Sequence, residues 1–182
     1  MIYWVSGFQR SGTSMMMACL IAGGMDALFD PDLDRIIHDL EKADGYRLNP
    51  SLYETDPAEF QKPDFRKRAE SKLVKGIAPG ILAHVQKGDR MVFMRRDFEE
   101  IRSSHEHAML GTVMYTPDQF AEMMDKTYKA LKKKCDVIRY DYRRVVDAPG
   151  FAFRALKMLG WPVDPVKAEA VVDPSLYRFR MN

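Results

Sequence analysis

The chain has 182 residues, 46% of them hydrophobic and 30% charged, and 28 basic against 26 acidic side chains leave a net charge of +2. That profile fits a single globular domain over 1–182 and excludes disorder, collagen and coiled coil. The charge is too balanced for a protein that coats nucleic acid or an anionic membrane, so no nucleic-acid partner is expected and any anion site must be local.

Ile2 to Ser6 is a short run of β-branched and aromatic residues with the character of a buried strand. The pattern from Thr13 to Ala22 is helical and ends at Gly23 and Gly24, the residues expected at a helix C-terminus. Asp44 to Pro63, with Gly, Asn, several prolines and aromatic residues, reads as a long ordered loop and a candidate binding wall. Leu73 to Ile77, Met91 to Met94 and Val137 to Tyr140 are three further strands. After the Met91 strand, Asp97 can cap a helix with Glu100 completing a capping-box variant, and Phe98, Ile101, His105 and Ala108 fall on one face. Pro117 opens a helix with Phe120, Met124, Tyr128 and Leu131 at helical spacing, closed by the solvated cations Lys132 to Lys134. Phe151 to Leu159 is a last helix that stops at Gly160. Strands alternating with helices predict an α/β fold of three layers, a mostly parallel sheet with helices on both faces, which binds ligands at the carboxyl ends of its strands.

The start of the chain has no basic region followed by an apolar core, and the apolar stretch Met15 to Met25 is too short for a bilayer, so no membrane span is expected. Two distant cysteines, Cys19 and Cys135, outside any CxxC pattern fit a reducing, cytoplasmic location. His105 and His107 stand two apart, which points them to different sides of a helix, so no metal site is expected. The many methionines, Met15 to Met17 among them, fit core filling.

Chemistry concentrates in Val5 to Ser14, VSGFQRSGTS, a strand running into a loop and a helix. Gly7 and Gly12 are spaced as in GxxxxGK[ST], whose backbone N–H groups cradle phosphate at a helix N-terminus. Thr13 stands at the lysine position, which argues against an ordinary ATPase or GTPase. Arg10 supplies a cation three residues earlier, and Ser11, Thr13 and Ser14 add hydroxyls. The same glycines also fit a strand-to-helix turn that holds no ligand. Farther on, Arg96 at a strand end and Ser104 two helical turns later can close on one phosphate from two sides. Alternatively, Arg96 pairs with Glu99 or Glu100 and Ser104 is a small packing residue.

Gln9-Arg10-Ser11-Gly12-Thr13-Ser14 resembles the 5′-phosphosulfate loop, PRSGTT or PKSGTT, of sulfotransferases that use 3′-phosphoadenosine 5′-phosphosulfate (PAPS), with Gln9 replacing Pro and Ser14 the last Thr. Arg96 and Ser104 are similar to the family's 3′-phosphate motif, RxP followed by serine, with Phe98 at the proline; Arg95 with Ser103 is the register one residue back. VIRYDYRRVVDAPGFAFRALKMLGWPVD resembles the family's later strand, acidic turn and helix, and Arg178 and Arg180 match a late basic segment that helps bind the 3′-phosphate. The resemblance implies a P-loop fold and transfer of a sulfuryl group from PAPS, leaving adenosine 3′,5′-bisphosphate (PAP), with no metal required. The acceptor is a hydroxyl or amine of a small molecule, carbohydrate, lipid or peptide. Lys75 matches the lysine of the family's KTH-like pattern, whose histidine is missing here. Three residues remain as general base, with no side-chain base at all as the further alternative: Glu54 in NPSLYE, similar to the NPxGYxE segment of some family members and expected to be enclosed by Tyr46, Leu52 and Tyr53; His84; and His105. A non-catalytic phosphate-binding module and, less favoured, a small-molecule kinase are the alternatives.

Overall fold

The computed structural model describes residues 1–43, 51–107 and 113–177. Four strands, β1 (Tyr3–Gly7), β2 (Leu73–Ile77), β3 (Arg90–Arg95) and β4 (Asp136–Asp141), form one sheet in the order β2-β1-β3-β4. Every pairing is parallel, so each connection crosses over a face of the sheet. The helices are α1 (Thr13–Ala22), α2 (Pro31–Ala43), α3 (Phe65–Arg68), α4 (Phe98–His107), α5 (Pro117–Lys132), α6 (Tyr142–Asp147), α7 (Pro149–Met158) and α8 (Pro165–Glu169).

Side chains alternate across a strand, and here both faces are covered. Tyr3, Val5, Val92 and Met94 enter one core with α1, α6, α7 and α8, where Met15, Met16 and Met17 are all buried. Trp4, Val74, Met91 and Phe93 enter the other with α3, α4 and α5. This is the three-layer α/β arrangement that the strand–helix alternation predicts. β1 lies at the centre of the sheet and leads through a glycine loop into α1, the layout of a P-loop fold. Among the described residues no helix is long and apolar enough to cross a membrane.

Two local expectations change. β2 is not followed by a helix: a single 3-10 turn, Gly80–Ala83, leads toward β3. Of the long loop expected over Asp44 to Pro63, residues 44–50 lie outside the described residues and Pro57–Gln61 is a 3-10 turn, capped by the Asp56 carboxylate, which accepts from the Ala58 N–H at 2.8 Å. The cap of α4 is as expected, with Asp97 Oδ1 accepting from the N–H groups of Glu99 and Glu100 at 2.9 and 3.3 Å. Glu100 does not close the box; its side chain turns inward to an arginine and a tyrosine described below. Thr116 and Gln119 make a complete capping box at the start of α5, satisfying end N–H groups that lack partners within the helix.

At the amino end of the sheet, buried Asp89 ties the layers together. Its carboxylate accepts from Ile2 N at 3.0 Å, Trp4 Nε1 at 3.1 Å and a two-pronged Arg66 guanidinium at 3.1 and 2.8 Å. Burial pushes this carboxyl up, but the Arg66, Trp4 and backbone donors outweigh it and hold the group below its ordinary value of 3.8.

Candidate anion-binding site

The loop between β1 and α1 is shaped by contacts that only glycine allows. Gly7 has φ 155°, and a Cβ there would stand 2.4 Å from Ser11 Oγ and 2.6 Å from the Met94 carbonyl. Gly12 has φ 96°, and its Cβ would stand 2.2 Å from Tyr142 Cδ2. Between them Arg10 takes a left-handed conformation, φ 65°, which is costly for a residue with a side chain. Ser11 closes the loop from inside: its N–H and its hydroxyl both donate to the Phe8 carbonyl, at 3.2 and 2.7 Å. The hydroxyl of Ser11, expected to add a donor for an anion, is thus part of the loop's own scaffold. Helix α1 begins at Thr13 with no side-chain cap, so its first N–H groups, partially positive, face the loop beside Arg10 and Ser14.

On the β2 side the fold brings together residues far apart in sequence. Lys75, with only 4% of its side chain exposed, lies in β2, adjacent to β1. Its Nζ donates to Ser14 Oγ at 3.0 Å, to the Leu52 carbonyl at 2.7 Å and to Glu54 Oε1 at 2.5 Å. Ser14 Oγ in turn donates to the Leu52 carbonyl at 3.2 Å. Asp34 on α2 positions this strand of chain. Its carboxylate accepts from Ser51 Oγ at 2.6 Å and from the N–H groups of Leu52 and Glu54 at 3.0 and 3.1 Å. Glu54 therefore faces an ammonium that the enclosure expected from its sequence did not include. Tyr53 stacks edge-on against Phe29, and Tyr46 lies outside the described residues.

Of the two readings of Arg96 on the β3 side, the pairing with Glu100 is the one that forms. Ser104 Oγ accepts from Arg10 Nε at 3.1 Å. Arg96, with 7% of its side chain exposed, donates through Nε to Glu100 Oε2 at 2.9 Å and through Nη1 to the Arg10 carbonyl at 3.1 Å. Its guanidinium lies over the rings of Tyr142 and Tyr177, at 4.7 and 5.1 Å, which favours a buried cation. Nη2 is buried with no hydrogen-bond partner among the described residues. The physical reason is the i,i+4 carboxylate: buried Glu100 draws the guanidinium inward. Arg95, one residue back, is more than half exposed and meets Asp141 only at 3.6 Å. It also lines a cavity of about 510 Å³ between α4, α5 and the ends of β3 and β4, walled by Phe93, Phe98, Phe120 and Tyr128. Ser103, its partner in that register, is half-buried.

The remaining candidates divide. Gln9 is at the loop, with its Oε1 3.2 Å from His105 Nε2, so His105 is buried against the loop's outer side. His84 is not brought to the site. Its carbonyl accepts from Arg66 at 3.3 Å, the guanidinium that forks on Asp89 at the opposite end of the sheet, and its ring packs on Phe60. The 3-10 turn after β2 runs back toward the amino ends of the strands and carries His84 there. Arg178 and Arg180 lie outside the described residues. Burial pushes the thiols of Cys19 and Cys135 up to about 12, too high for a nucleophile. Asp34, Tyr142 and Tyr177 escape sequence reasoning, since each acts on residues distant in the chain and none sits in a spaced motif.

No family model matches the chain, and no curated protein matches it. Among solved structures, a sugar kinase from Janibacter sp. HTCC2649, in an unliganded structure, is 16% identical with a TM-score of 0.42, covering 91% of this chain and 96% of that one. A retinol dehydratase in a complex with retinol and PAP is 16% identical with a TM-score of 0.44; the match covers 95% of this chain and 64% of the dehydratase.

Proposed function

We propose that the chain binds PAPS on the glycine loop and transfers its sulfuryl group to the hydroxyl or amine of an acceptor. The observation that carries this reading is the convergence of Lys75 Nζ, Ser14 Oγ and the Glu54 carboxylate at the start of α1. A cation, a hydroxyl and a carboxylate thus stand where backbone N–H groups already favour an anion. Sulfuryl transfer needs the cosubstrate held in line, positive charge on the leaving phosphate and a proton acceptor for the attacking group. Loop N–H groups, Arg10 and Lys75 serve the first two needs, and Glu54 the third. As the acceptor oxygen bonds to sulfur, the bond from sulfur to the bridging phosphate oxygen breaks. The acceptor's proton passes to Glu54, and the charge left on phosphate falls to Lys75 and Arg10.

Of the two registers for the 3′-phosphate, Arg95 with Ser103 is preferred, because Arg95 reaches solvent and Arg96 is held by Glu100. The nucleotide-hydrolysing P-loop proteins place a magnesium-binding aspartate with their phosphate loop; here β3 ends in Arg95, with Arg96 following it, which suits a cosubstrate held by cationic side chains.

One observation favours a kinase-like second reading: Lys75 reaches the start of α1 from β2 and so restores a lysine to a loop that lacks its own. The experiment is incubation of the full chain with labelled PAPS and an acceptor panel of phenols, sugars, lipids and peptides, with chelator present. Transfer of label to one class with release of PAP is expected. Phosphoryl transfer from ATP to the same panel when magnesium replaces the chelator, without sulfuryl transfer, would replace this function with the kinase.

A further inference from the structure

We propose that Tyr177 is a positioning residue for the glycine loop, acting through Glu100 and Arg96; this rests on the reading of that loop as an anion cradle. The Tyr177 hydroxyl is 2.7 and 2.8 Å from the two Glu100 oxygens, 77 residues away in sequence, and donates into that carboxylate. Burial first, then the Glu100 contact and charge, push the phenol up, so it stays a donor. Glu100 accepts from Arg96 Nε, and Arg96 Nη1 donates to the carbonyl of Arg10, 86 residues away.

The relay ends on the one loop residue with a side chain and a left-handed backbone, Arg10 at φ 65°. An N–H donor on its carbonyl fixes the peptide plane that follows, and with it the direction of the Ser11 N–H and the approach to Gly12. A second contact acts in parallel. The Tyr177 ring meets the Tyr142 ring edge-on at 4.8 Å, and the Tyr142 ring occupies the space a Cβ on Gly12 would need. Arg96 lies over both rings. Arg10 and Gly12 are therefore held by two groups that Tyr177 holds in turn. A residue far along the chain thus sets the loop geometry on which the aim of the α1 N–H groups depends.

The test uses the full chain and the substitution Tyr177→Phe, which keeps the ring over Arg96 and removes only the hydroxyl. Amide ¹H–¹⁵N spectra of the free protein read the loop directly, and calorimetry with inorganic pyrophosphate and with PAP reads the cradle. Tyr140→Phe is the control. Its hydroxyl donates to the Ala152 carbonyl at 2.8 Å in the same core, so it loses a hydrogen bond of similar kind with no path to the loop. Tyr177→Phe is expected to move the amides of Arg10 to Thr13 while leaving those of β2 in place, and to weaken pyrophosphate and PAP equally, by about 5- to 10-fold. Tyr140→Phe should do neither. Unmoved loop amides, or loop shifts as large in Tyr140→Phe, would overturn the relay. If the unsubstituted chain binds pyrophosphate but not PAP, the cosubstrate assignment fails while the loop shifts still decide the relay.

Discussion

Glu54 and Lys75 form the ion pair on which the proposed chemistry turns. An ion pair with a buried ammonium holds the carboxylate in one place, and a general base is useful only where geometry delivers it within hydrogen-bond reach of the proton. Glu54→Gln keeps the shape and removes the base. Steady-state turnover with PAPS should fall by ~100-fold or more, while PAP affinity stays nearly unchanged. Turnover within a few-fold of the unsubstituted chain would remove Glu54 from the mechanism. The two arginines at the end of β3 are separable in the same way. Arg95→Ala should weaken PAP more than adenosine 5′-monophosphate, which lacks the 3′ group, by ~1.5 to 3 kcal/mol for a charge-assisted bond. Arg96→Ala should weaken both ligands alike, since Arg96 supports the Arg10 carbonyl; calorimetric titrations of both ligands against both variants decide it. At this scale the sequence made the glycines and Arg10 legible through their spacing, and Glu54 and Lys75 through resemblance. The pairing of Arg96 with Glu100 was legible as an i,i+4 alternative; the Tyr177 hydroxyl that completes it was not, because it lies 77 residues beyond Glu100.

The loop and α1 act as one element, and Gly12 is where the loop is tightest. Gly12→Ala places a Cβ 2.2 Å from the Tyr142 ring at a positive φ. The strain should cost about 2 kcal/mol, seen as a lower denaturant midpoint with unchanged slope, together with weaker PAP binding. A variant as stable as the original chain would mean that the Tyr142 ring yields readily. Elements whose signals are local were readable: Asp97 and Pro117 announced α4 and α5, and short continuous apolar runs announced β1 and β3. The segment 51–56 was not, because its shape comes from Asp34 on α2, which binds Ser51, Leu52 and Glu54 across a stretch without a turn motif. His84 was misplaced for a similar reason, since the direction of the 3-10 turn after β2 follows from packing of Phe60 and Arg66 and not from the turn's own residues.

For the whole molecule, the parallel sheet puts the proposed anion site at one end and a structural carboxylate, Asp89, at the other. Asp89 is held below 3.8 in the native state, so its contribution is present above the unfolded chain's carboxylate range and is lost as pH falls through the lowered native value. Denaturant melts between pH 6 and pH 2 should show this loss. Asp89→Asn should remove about 2 kcal/mol at neutral pH, with Arg66 left unpaired but partly solvated, and flatten the acid limb. An acid limb as steep as in the unsubstituted chain would assign the acid sensitivity to other carboxylates. The fold class was legible because a sheet buried on both faces writes itself as short apolar runs between helical periods. Cross-sheet ties such as Asp89 to Ile2 and Trp4 leave no such trace.

The central claim, that the glycine loop is a cradle for a bisphosphate nucleotide served by cations alone, is tested most directly by calorimetric titration of the full chain with PAP and with ATP, each with and without magnesium. The account predicts PAP binding that is tight and indifferent to magnesium, and ATP binding that is much weaker in both conditions. Magnesium-dependent ATP binding stronger than PAP binding would contradict it.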